Sequence, residues 1–122
     1  MPTEPQPPSV FDIVHRAVEV CDPAGQEEGV SQLLARFEDR DEPVTSLEDV
    51  ESELLEAKGA LDPQDEDPAL VMASAVAVYL AHRRDQLGTE RTELLRLAAR
   101  AEFDGEPPPA VAAWLSDQGV EA

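Results

Sequence analysis

ALVMASAVAVYLAH, residues 69–82, contains the longest charge-free apolar run of the chain, and its reading decides the fold. From Ala69 to Ala81 only Ser74 is polar. A segment that is apolar on every side must be surrounded by other elements. Its length, its many alanines and the preceding Asp67-Pro68 pair favour a helix over a buried strand: Pro68 fits the first helical position, and Asp67 can cap it. Thirteen residues fall short of the roughly 20 that a membrane helix needs. The expectation is a central helix over about 69–84, stopped before Gly88 and too enclosed to form a site. Its alanines let neighbouring helices approach closely.

The segments on either side read as helices, and none reads as a strand. Upstream, Leu47, Val50, Leu54, Ala57 and Leu61 alternate steps of three and four, with acids between them and Ser46 as the capping residue. Gly59 is placed to weaken or end the last turn of that helix. Val30, Leu33, Leu34 and Phe37 carry a shorter helix between Gln26 and Arg40, and Val10, Val14, Ala17, Val18 and Cys21 carry one over 10–21, capped by Ser9. Downstream, Thr89 is the expected cap of a helix reaching Phe103. After Pro107, Pro108 and Pro109, residues 110–115 form a short last helix that folds back as a lid. Residues 1–8, with four prolines, read as a mobile tail, leaving 9–122 as one domain. The fold class expected is all-α, a bundle of five to six helices around the central one. Asp22-Pro23 and Asp62-Pro63, 40 residues apart, each end a helix and hint at two related hairpins.

Composition narrows the function. Twenty-seven acids against nine cations give a net charge of −18, which disfavours both nucleic-acid phosphates and anionic membranes as partners. One reading makes the acidity a solvated coat suited to a salt-rich interior, consistent with one lysine against eight arginines. The other makes it a surface for a basic partner, in the extreme an imitation of nucleic-acid charge. A single cysteine, Cys21, and no secretory leader pattern fit a reducing cytoplasm.

Chemical motifs are sparse. Asp12 and His15 stand one turn apart, the spacing used in bundle metal sites, but no second such pair accompanies them. The acidic loop Asp62 to Asp67 lacks the spacing of a helix–loop–helix calcium site. Cys21 sits beside Asp22, which raises rather than lowers a thiol pKa. No phosphate-binding glycine loop and no hydrolase motif appears, and no cofactor is expected.

One local reversal of charge remains. Residues 82–100 sum to +2 while the rest of the chain sums to −20. Arginines at a helix C-terminus complement its dipole, and Arg96 and Arg100 can reach acids of neighbouring helices. The sharper reading makes His82, Arg83, Arg84, Arg91, Arg96 and Arg100 an interface for an anion or for the acidic face of a second copy. The sequence thus predicts a cytoplasmic binding or assembly module without catalysis, self-associating or partnered with another protein. The alternatives are an acidic inhibitor of a basic protein and a helical metal protein or enzyme using Asp12 and His15.

Overall fold

The computed structural model describes residues 9–39, 47–64, 66–83 and 86–120. Among them lie six helices and no strand: α1 (Val10–Cys21), α2 (Glu28–Arg36), α3 (Leu47–Leu61), α4 (Pro68–His82), α5 (Arg91–Phe103) and α6 (Pro109–Asp117). The expected tail 1–8 and the Ser46 cap lie outside the described residues.

Local signals set most helix ends. Ser9 and Asp12 form a capping box at α1, each side chain bonded to the other's backbone N–H at 3.0 Å. Asp67 caps α4, accepting the Leu70 N–H, with Pro68 inside the first turn as expected. α6 closes in a Schellman motif. Val120 N–H reaches Leu115 O, Gly119 N–H reaches Ser116 O, and Gly119 takes φ +82, which a side chain would oppose.

The two Asp-Pro stops share one geometry. The Asp22 carboxylate accepts the backbone N–H groups of Gln26 and Glu27, and the Asp62 carboxylate those of Glu66 and Asp67, all at 2.9 Å. In both loops the residue five positions on is the N-cap of the next helix. The hairpins α1–α2 and α3–α4 therefore repeat a loop as well as a sequence echo. This also delays α2 to Glu28, because Asp22 holds Gln26 and Glu27 in the loop. At its C-terminal end α2 stops at Arg36, and Arg40 lies outside the described residues.

Other boundaries also shift from expectation. α4 ends at His82 rather than Arg84, and Arg83 leaves the helical region with its N–H still bonded to Tyr79 O. Thr89 does not cap α5. Its hydroxyl donates to Gln86 Oε1, and Glu90 takes the cap, its carboxylate accepting from the N–H groups of Thr92 and Glu93. α3 runs through Gly59 to Leu61, since Asp62 N–H completes the last turn on Lys58 O.

α4 is the hub, packed against α1, α3 and α5 and, less extensively, α2 and α6. Leu70, Met72, Ala73, Val76, Ala77 and Leu80 are almost fully buried and join one core cluster with Ile13, Leu33, Leu54, Leu94 and Leu115. α6 folds back on α4 through Val111 and Leu115. α2 runs so close to the start of α4 that a Cβ on Gly29 would stand 2.7 Å from Asp67 Oδ2. No helix among the described residues is long and apolar enough to cross a membrane.

Candidate binding groove

α4 is enclosed over most of its length, as expected, with Val71, Ser74 and Ala75 each under a tenth exposed, and a groove runs beside that face. α3 and α5 both pack on α4 and leave a groove between them along one of its faces. The floor is Val71, Ser74, Ala75 and Val78, the i, i+3, i+4, i+7 set of α4. One half, about 350 Å³, has Leu55 and Lys58 of α3 on one side and Phe103, Pro108 and Val111 on the other. The second half, about 320 Å³, is continuous with it through Glu51, Ala75, Val78 and Glu102. It extends to Tyr79, His82 and Arg83 at the end of α4.

Three features make this more than surface roughness. Leu55, 50% exposed, is the exposed large hydrophobic side chain among the described residues, and it stands on the groove wall. Ser74, the one polar residue of the 69–81 run, is 4% exposed and lies in the floor. The floor side chains are small or short, so an incoming backbone can approach α4 closely.

The basic residues singled out in the sequence are divided. His82 and Arg83 line one end of the groove, where His82 Nε2 stands 3.7 Å from Glu51 Oε2. Arg91 is engaged elsewhere, donating to Val20 O at 2.7 Å and to Gln118 Oε1. Arg96 pairs with Glu93 of its own helix at 2.5 Å, not with α3. With Arg100 it flanks a shallow apolar dent of about 30 Å³ beside Ala99 and Leu115, separate from the groove. Arg84 lies outside the described residues.

The Asp12/His15 pair is occupied locally. Asp12 belongs to the α1 cap, and His15 stacks on Phe11 with ring centroids 5.4 Å apart. No cluster of three or more His, Cys, Asp or Glu suited to a metal ion occurs among the described residues.

Cys21 is buried against the core. Burial pushes its thiol far above the ordinary value; nearby Arg91 opposes the rise, and Asp22 adds to it. The native thiol is expected to resist an aromatic disulfide reagent and to label only at the rate of protein opening, read by absorbance with and without urea. Fast native labelling would contradict this burial.

Glu90 supplies a pH-dependent cap. Its bond from the Thr92 hydroxyl, with those from the backbone N–H groups of Thr92 and Glu93, holds its carboxyl below the ordinary value. The folded value is depressed, so this stabilisation is complete above the unfolded pKa of about 4.3 and fades as pH falls through the folded value. Urea midpoints from pH 6 to pH 3 should fall less steeply in Glu90→Gln than in the parent; identical slopes would remove the cap from the acid response.

No protein-family model matches the chain, and no curated protein or solved structure shows significant similarity to it.

Proposed function

We propose that this protein is a small acidic binding module without catalytic chemistry, and that its groove receives a helical segment of a partner protein. The observation that carries the reading is the groove between α3 and α5, floored by the stripe of Val71, Ser74, Ala75 and Val78 of α4 at helical spacing. Helix-in-groove recognition uses such a slot, filled by side chains at i, i+3, i+4 and i+7 of the incoming helix. From Val71 to His82 the stripe runs about 16 Å, or three helical turns. A second copy is a poorer occupant, because both copies would bring a charge of −18 to the contact.

The test uses a 14-residue amphipathic peptide with leucines at those four positions, titrated into methyl-labelled protein. Binding should shift the methyl resonances of Leu55, Val71 and Val78 and leave Leu33 unmoved. Ala75→Trp, which fills the floor, should abolish the shifts while the circular dichroism stays helical. Uniform shifts, or binding indifferent to Ala75→Trp, would refute the groove. A dimer in light scattering that Ala75→Trp dissolves would assign the groove to a second copy instead.

A further inference from the structure

We propose that the helix received by the groove is cationic, with lysine or arginine flanking its apolar stripe; this rests on the groove reading above. Two carboxylates decide the sign. Glu51 of α3 and Glu102 of α5 stand on opposite walls, and each lines both halves of the groove, which places them at its middle. A helix laid on Ser74, Ala75 and Val78 therefore carries its flanks past an acid on each side.

The groove's cations do not cancel this arrangement. Lys58 lies in one half only, and His82 and Arg83 in the other only, so they mark the ends rather than the middle. Lys58 and Arg83 each already have a partner within the protein. His82 is half exposed and its Nε2 stands 3.7 Å from Glu51 Oε2, too far for a hydrogen bond. Glu102 is exposed on the α5 wall. Beyond the groove, the net charge of −18 draws cationic partners in and repels anionic ones at long range.

The geometry also states what such a helix looks like. Its apolar residues occupy one narrow stripe over about three turns, and its basic residues sit near the middle on both borders of that stripe, within reach of Glu51 and Glu102. Acids there would face like charge across a desolvated floor. Neutral residues would bind through the apolar stripe alone.

Three versions of the 14-residue peptide separate the two layers of the proposal. All carry the same leucine stripe; the border positions are lysine, glutamine or glutamate. At low salt the lysine peptide should bind about tenfold more tightly than the glutamine peptide, as two partly screened ion pairs allow, and the glutamate peptide more weakly still. Raising the salt to 0.5 M should compress the series, since the charge component is screened over a few ångströms. The double variant Glu51→Gln, Glu102→Gln should remove most of the advantage of the lysine peptide over the glutamine peptide. Equal affinities of the three peptides, all blocked by Ala75→Trp, would overturn the charge proposal and leave the groove standing. Binding of none of them would overturn both. A lysine preference that survives the double variant would place the charge recognition outside the groove and so reject the assignment to Glu51 and Glu102.

Discussion

Leu80→Ala is expected to cost about 2–5 kcal/mol, a large share of the roughly 5–15 kcal/mol that stabilises a single domain. Leu80 is fully buried in the last full turn of α4, the helix against which the others are packed. Truncation loses the transfer energy of its side chain and leaves a cavity whose lining cannot all collapse, because α4 is fixed on several sides. The companion experiment enlarges rather than truncates. Ala77→Leu, at a site with no exposure, forces off-rotamer side chains or helix displacement and should cost about 1–3 kcal/mol. Ala75→Leu adds the same atoms two residues away, at a buried position that borders the groove, and should cost less than Ala77→Leu because the groove can take part of the added volume. Urea denaturation of the three variants checks this. If Ala75→Leu and Ala77→Leu were equally damaging, the groove would be closed in solution.

That contrast shows what could and could not be read from residues 69–82. The helix, its Asp67-Pro68 start and its central position were legible, because each rests on local composition and spacing. The groove beside it was not. It depends on how far apart α3 and α5 stand on α4, and that distance is set by packing among side chains remote in sequence. One local trace of it existed: Ser74 interrupts the apolar run at the position that lines the groove. Exposed Leu55 is a second trace, lying outside the clean stripe of Leu47, Val50, Leu54, Ala57 and Leu61. Glu51 and Glu102 carried no signal, being two of 27 acids in a chain where nearly every polar face is acidic.

Helix ends divide in the same manner. Ser9 and Asp67 cap where the pattern places them, because the side-chain oxygen and the helix start are neighbours in sequence. Glu90 displaces Thr89 because Gln86, in the turn before it, takes the Thr89 hydroxyl. Single-residue preference for threonine over glutamate as a cap has no knowledge of that competitor. The Asp22 and Asp62 loops are the reverse case: a faint spacing of 40 residues became a shared hydrogen-bond pattern once both carboxylates were seen to accept from the fourth and fifth N–H groups onward.

Arg91→Ala should be the most damaging substitution among the basic residues, costing about 3 kcal/mol. Its Nε–H donates to Val20 O in the last turn of α1, and its Nη2 donates to Gln118 Oε1 at the C-cap of α6, so one planar group ties three helices together. Hydrogen bonds from a charged donor are worth roughly twice neutral ones, and a carbonyl left unpaired in a half-buried place bears its desolvation cost as well. Arg91→Lys should recover little, because an ammonium cannot span both acceptors in the fixed fork geometry of a guanidinium. Arg100→Ala, at an exposed position of α5, should stay within about 0.5 kcal/mol of the parent. Cys21 supplies an internal check, since it adjoins Val20 and is buried beneath this junction: loss of Arg91 should speed its labelling in proportion to the lost stability. Equal stabilities of Arg91→Ala and Arg100→Ala would show that the basic segment acts as surface charge throughout and that Arg91 is no tie.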